Sequence, residues 1–236
     1  MHVVKDFDVR MNEFLDTAQR LFLERGYEET PISAIIDAVG VSKGAFYHYF
    51  ASKDDLINAL AERAARQGIA LIQPIADDPA LPALDKLNRV FAAALAFKSA
   101  RRELMLTLLK VMYDDRNLLL RKRMERKSME LEAPLISRIL AQGIAEGAFK
   151  LSDPAEAAML ILQLGTAMTE RLAVYAATDL AVSAGPSGLA TEATERVQAV
   201  VASYREAVTR VLGAAPGSVA LMDDRVVAIL AGKDTP

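Results

Sequence analysis

Residues 30–53 read TPISAIIDAVGVSKGAFYHYFASK, and the fold turns on how they are parsed. Thr30 and Pro31 set an N-cap hydroxyl before a proline at the first helical position. Ile32, Ile35, Ile36 and Val39 then recur at helical spacing until Gly40, a residue suited to a helix stop. The spacing predicts a helix of about two turns. Ser42 is placed to cap the next short helix, which runs through Tyr49. Ser52, Lys53, Asp54 and Asp55 read as a capping box that opens another, carried by Leu56, Ile57, Leu60, Ala64, Leu71 and Ile72. Two short helices around a glycine turn, the second small at its start and aromatic beyond, fit a helix-turn-helix.

Outward from this stretch the helical period persists. Met11, Phe14, Leu15, Ala18, Leu21 and Phe22 make one apolar stripe opposite Asn12, Glu13, Asp16, Gln19 and Arg20, and Gly26 follows, so a helix is expected near 8–25. Pro74 and the segment from Asp77 to Pro82 interrupt the pattern and mark the expected internal boundary. Further helices are expected near 83–99, 101–113, 117–132 and 134–146, with Pro134 either starting a new helix or kinking a continuous one. Asp153, Pro154 and Glu156 supply a cap, a proline and an acid that open a long apolar helix to near 177. After a loop at Gly185–Gly188 comes a last long helix near 190–213. In the tail, Val219, Met222, Val226, Ile229 and Leu230 fall on one face of a helix expected near 218–231. Alternation of period two is nearly absent, so the fold class is all-α.

Composition narrows the chemistry. The 236 residues are 52% hydrophobic and 25% charged, the balance of a globular protein. There is no cysteine and there are two histidines, His2 and His48, so disulfides, thiolate metal sites, cysteine nucleophiles and histidine-built zinc sites lack raw material. No metal site, cofactor or catalytic residue is assigned, and the chain is not read as an enzyme. The apolar run from Ala157 to Thr169 falls short of the ~20 residues that a bilayer requires, and no signal peptide is visible, so no membrane association and a cytoplasmic location are expected.

From Phe14 to Leu60 the chain resembles the N-terminal domain of the TetR family of transcriptional regulators. The resemblance rests on Ala18, Leu21-Phe22, Gly26-Tyr27, Thr30, Ile32, Ile35, Gly40 to Gly44, Phe46 to Phe50, Ser52-Lys53 and Leu56. It implies a helix-turn-helix DNA-binding domain over residues 1–52, a connecting helix over 53–73, and a ligand-binding and dimerisation domain over 74–236. It also implies a homodimer that binds palindromic double-stranded operator DNA, most commonly as a repressor, and leaves it when a small effector binds. Carried over position by position, Lys43, Gly44, Ala45, Tyr47, His48, Tyr49 and Lys53 are the expected contact set. Their chemistry agrees. A helix entering the major groove must be slim at its first turn, as Ser42, Lys43, Gly44 and Ala45 are. Lys43 can reach a guanine edge or a phosphate, and Tyr47, His48 and Tyr49 carry polar tips on apolar bodies. Lys53 stands at a helix N-terminus, where a phosphate is already favoured. Thr30 and Ser33, at the start of the second helix, are read as further phosphate donors. Tyr49 has a second reading, as a core residue holding the third helix. Where helix-turn-helix units usually have a small residue four positions before the turn glycine, this chain has Ile36, which either widens the crossing or tilts into the core.

The charge is sparse for such a role. Residues 1–60 hold six Lys and Arg against ten Asp and Glu, a net of −4, within a chain of net −3. Residues 40–53, however, contain two lysines and no acid. Two lysines per subunit predict about four ion pairs in a dimer, and a slope of log affinity against log salt of roughly −4. The basic run Arg116, Arg121, Lys122, Arg123, Arg126 and Lys127 reads first as a solvated helix face, with an anionic ligand or partner as the alternative.

In the second half, Met159, Gln163, Thr166 and Glu170 form a polar-containing stripe on the helix from Pro154, which must meet a ligand cavity, a dimer interface or water. Phe91, Met105, Met112 and Tyr113, with Phe97, have the shape and flexibility to line an adaptable pocket or to be ordinary core. A small apolar or amphipathic effector is expected there. The helices near 154–177 and 190–213 would pair across a dimer as a four-helix bundle, which the tail helix would brace.

Overall fold

The computed structural model describes residues 7–112, 118–180 and 188–221. They form α1 (Phe7–Arg25), α2 (Ile32–Val39), α3 (Lys43–Tyr49), α4 (Lys53–Asp77), α5 (Ala83–Ala100), α6 (Arg102–Met112), α7 (Leu118–Ala145), α8 (Pro154–Leu180) and α9 (Gly188–Leu212). Among the described residues there is no strand. The chain divides into two compact units that interleave along the sequence. The first holds residues up to 67 with 101–127, and the second holds 68–100 with residues from 128 onward. Helices α4 and α7 therefore each contribute to both units.

The first unit is built on the stripe of α1. Phe14, Leu15, Ala18, Leu21 and Phe22 pack with Ile35 and Ile36 of α2, Phe46 and Phe50, Leu56, Ile57 and Leu60 of α4, and Leu104, Leu108 and Val111 of α6. The rings of Phe46 and Phe50 meet Phe14 edge to face, at 5.5 and 5.8 Å between centroids. Ile36 is buried in this cluster, so its extra bulk tilts into the core. Gly40 adopts φ 74°, and its N–H donates to the carbonyls of Ile36 and Asp37, which stops α2 and turns the chain into α3. Pro31, not Thr30, is the N-cap of α2, and it makes no side-chain cap bond.

In the second unit the largest core gathers Leu87 and Val90 of α5, Leu135, Ile136, Ile139 and Leu140 of α7, Ala158 and Ile161 of α8, and Val208 and Leu212 of α9. Met168 and Leu172 of α8 pack on Val197 and Val201 of α9. A polar network ties its element ends together. The buried Lys86 ammonium donates to the carbonyl of Ala76 at 2.9 Å and to Oε1 of Gln142 at 2.8 Å. Gln142 donates to the carbonyl of Leu81 and to Glu146, whose other oxygen accepts the N–H of Ala83 at the start of α5.

Two prolines do not end their helices. Helix α4 runs through Pro74 to Asp77, and α7 is continuous through Pro134. An interior proline costs about 3 kcal/mol. Leu135, Ile136, Ile139 and Leu140 offset that cost by anchoring the helix beyond Pro134 in the core, and Lys86 caps the end of α4 beyond Pro74. The tail differs from the expected helix where it is described. Residues 218–221 are not helical: Asn88 donates to the carbonyl of Ser218 and accepts the N–H of Ala220, burying Val219 between. Met222 and the later tail positions lie outside the described residues. No helix among the described residues is long and apolar enough to cross a membrane.

Candidate nucleic-acid interface

Helix α3 presents one buried and one open side. Phe46 is fully buried, while Ser42, Lys43, Gly44, Tyr47 and His48 are exposed and Ala45 is partly so. The Ser42 hydroxyl accepts the N–H of Ala45 at 3.3 Å and caps the helix. Lys43 and Tyr47, four residues apart, share one face, with the ammonium 5.9 Å from the centre of the phenol ring. The aromatic floor of Phe14, Phe46 and Phe50 fixes the rotation of the helix and so which edge is open. Ser33 of α2 is also exposed.

Two expected phosphate contacts are engaged within the protein. Thr30 is fully buried, and its hydroxyl donates to the carbonyl of Gly26 at 2.7 Å, with that of Leu21 at 3.3 Å, so it satisfies the frayed end of α1. Lys53 donates to the carbonyl of Tyr27, and its ammonium lies 4.0 Å over the Tyr27 ring. Burial pulls this ammonium below its ordinary range, against the pull of Glu28, Asp54 and Glu29. The Tyr27 hydroxyl in turn donates to Asp54 at 2.7 Å, and burial, then that bond, push the phenol well above its ordinary range. Tyr27, Lys53 and Asp54 thus clamp the turn after α1 to the start of α4. Farther along α4, Arg63 donates to Asp16 and Gln19 of α1 at 2.6 and 3.0 Å.

Tyr49 takes part of the core role. It is half-buried, with its ring 5.5 Å from Phe14 on one side and stacked 4.6 Å from Phe7 on the other. Phe7 also meets the edge of His48 at 6.2 Å. Sequence reasoning passed over Phe7, although Phe7, Met11, Phe14 and Ala18 continue one stripe at helical spacing.

The residues expected to form an effector pocket belong to both units. Phe91 packs half-buried on the core of the second unit, and Met105 packs on the core of the first. The side chain of Met112 and all of Tyr113 lie outside the described residues. On α8, Met159 is half-buried, Gln163 and Glu170 are exposed, and the Thr166 hydroxyl donates to the carbonyl of Leu162 in its own helix. A cleft of about 270 Å³ lies instead within the first unit, lined by Asp16, Gln19, Arg63, Gln67, Arg101 and Leu104, none of them among the expected pocket residues.

Comparison with known proteins bears on these same segments. Residues 14–60 match the family described as bacterial regulatory proteins, tetR family. The chain is 34% identical over 85 residues to the HTH-type transcriptional repressor KstR2 of Mycobacterium tuberculosis, covering 36% of this chain and 42% of that one. It is 46% identical over 55 residues to the HTH-type transcriptional repressor AcnR of Corynebacterium glutamicum, covering 23% and 29%. The match thus spans about two fifths or less of these relatives' length. In solved structures, a TetR-family regulator of Syntrophomonas wolfei superposes with a TM-score of 0.60 at 21% identity, over 90% of this chain and all of that one. A TetR transcription regulator of Haloarcula marismortui gives 0.60 at 18% identity, over 88% and 98%. At these identities the likeness is one of fold.

Proposed function

We propose that this chain, whose residues 14–60 match the tetR family of bacterial regulatory proteins, is a ligand-responsive, sequence-specific transcriptional regulator that works as a dimeric repressor. The observation that carries the reading is the open edge of α3. Lys43, Gly44, Tyr47 and His48 face outward from a helix whose other side is locked by Phe46, the arrangement that major-groove entry requires. Lys43 reads a guanine edge or a phosphate, and Tyr47 and His48 supply polar tips beside it. Ser33 and Ser42 stand close in sequence to that edge as further donors, while Thr30 and Lys53 position the motif without touching DNA.

A symmetric dimer presents two such helices to half-sites about 34–36 Å apart on a palindromic operator. The pairing of α8 with α9, and the exposed Leu160 on α8, support an interface made by these two helices from each protomer. An apolar or amphipathic effector held in the second unit releases DNA by favouring a conformer in which α4 is shifted. Helix α4 suits this task because it is anchored at both ends: by the Tyr27, Lys53 and Asp54 clamp and the Arg63 bonds near its start, and by Lys86 at Ala76. Gly68, where a Cβ would meet the Phe97 ring at 3.6 Å, and Pro74 are the positions at which it would flex. Repression is the role carried by the names of the relatives.

Fluorescence anisotropy with the DNA upstream of the coding sequence tests the reading. The protein binds that duplex as a dimer, and K43A and Y47A each weaken binding about tenfold or more, in line with 1–3 kcal/mol per specific contact. Undiminished binding by the K43A/Y47A double variant refutes the assignment of α3.

A further inference from the structure

The first unit does not owe its positive charge to the helix-turn-helix. Residues 1–67 carry eight Lys and Arg against eleven Asp and Glu, net −3. Residues 101–127, which fold into the same unit, carry nine against four, net +5. The inserted segment therefore turns the unit that holds α3 from acidic to basic. Its charge is concentrated at the start of α7, where Arg121, Lys122, Arg123, Arg126 and Lys127 are opposed within the run by Glu125. Glu125 is already engaged, 2.7 Å from Lys122 and 3.7 Å from Arg121. Arg123 and Arg126 are exposed, three residues apart on one face, and Lys122 stands four before Arg126. Like charges at these spacings repel and weaken a helix, and a polyanion relieves that repulsion. Two of the three arginines of α1 differ, since Arg10 and Arg20 are answered by Glu13 and Glu24 on their own helix.

We propose that the exposed arginines at the start of α7, Arg123 and Arg126, form a second anionic-contact surface of the DNA-binding unit, and that its partner is the phosphate backbone of the bound duplex. The inference rests on the reading of α3 as a DNA-binding helix. It assigns the two elements separate work: α3 reads bases with little charge, and α7 supplies the sequence-independent attraction that α3 lacks. With the Lys53 ammonium held by the Tyr27 carbonyl, Lys43 is the exposed lysine of residues 40–53 and accounts for a salt slope of only about −2 in a dimer. Two arginines per protomer bring it to about −5.

The test measures affinity by anisotropy for a duplex of about 40 base pairs carrying a site that the protein selects from a random pool, between about 50 and 200 mM NaCl. Wild type loses about 10³-fold across that range, and R123Q/R126Q only about tenfold. R123K/R126K, which keeps the charge, keeps the wild-type slope. Equal slopes for wild type and R123Q/R126Q overturn the proposal, whether the affinities coincide or differ by a constant factor, and leave the α3 reading standing. Failure of wild type to bind any duplex in the pool overturns the α3 reading itself. Thermal unfolding of R123K/R126K is unchanged and that of R123Q/R126Q is not lowered, because both side chains are exposed and the glutamines relieve like-charge repulsion.

Discussion

Replacing the fully buried Thr30 by Val leaves the part-buried carbonyl of Gly26 without its 2.7 Å partner. The expected cost is about 1–3 kcal/mol, read as a lower urea midpoint, with DNA affinity of the folded protein unchanged. Weakened DNA binding at constant stability would return Thr30 to the DNA contacts. Lys53 and Thr30 show where reading residues one at a time stops. Both have the chemistry of a phosphate donor and occupy positions where the family resemblance or the local pattern places one. Lys53 is claimed by a carbonyl 26 residues away, and Thr30 by the end of the preceding helix, which a one-dimensional pattern does not display. Lys43, Tyr47 and His48 were easier to place, because the buried Phe46 beside them fixes the outward side of a helix of only seven residues.

Gly143 on α7 is a close-approach glycine. A Cβ there would lie 2.0 Å from the Phe149 ring, which folds back over the helix through the N–H groups of Ala148 and Phe149 on the Gly143 carbonyl. G143A is expected to destabilise by about 1–3 kcal/mol, and G143A/F149L by less than the two single changes added, since the smaller side chain makes room. At the same end of α7, Glu146 accepts the N–H of Ala83 and the amide of Gln142, and these bonds, aided by Lys86, hold its carboxyl below the ordinary value of 4.5. A carboxyl so depressed favours the fold above its unfolded pKa and loses that contribution as pH falls through the folded one. The melting temperature of wild type should therefore drop more steeply below about pH 4.5 than that of E146Q; parallel curves would show that the bonds do not matter. Caps at this scale were legible in sequence. Ser42 caps α3, Ser52 accepts the N–H of Asp55 at the start of α4 while the Asp55 carboxylate accepts the N–H of Ala51, and Asp153 accepts two N–H groups at α8. The continuity of α4 through Pro74 was not, because it depends on Lys86 from another helix, and at Pro134 the pattern left a new helix and a kinked continuous one both open, a choice that burial beyond the proline decides for α7.

For the whole molecule, the two proposed sites must be coupled through states, not contacts. If an effector weakens operator binding by a given factor, operator must weaken effector binding by the same factor, because both are legs of one thermodynamic cycle. Couplings of this kind run to about 1–3 kcal/mol, or roughly 5–150-fold. Calorimetry of an effector with the free dimer and with the dimer on its selected duplex measures one leg, and anisotropy with and without effector measures the other. The two factors should agree, and R123Q/R126Q should preserve the agreement while lowering DNA affinity in both states, since the basic start of α7 attracts phosphate without selecting a conformer. Shortening Lys86 to Ala instead removes the capping of the Ala76 carbonyl, loosens the far end of α4, and should shrink both factors together. Factors that remain large in K86A would separate signalling from α4 and refute that part of the mechanism.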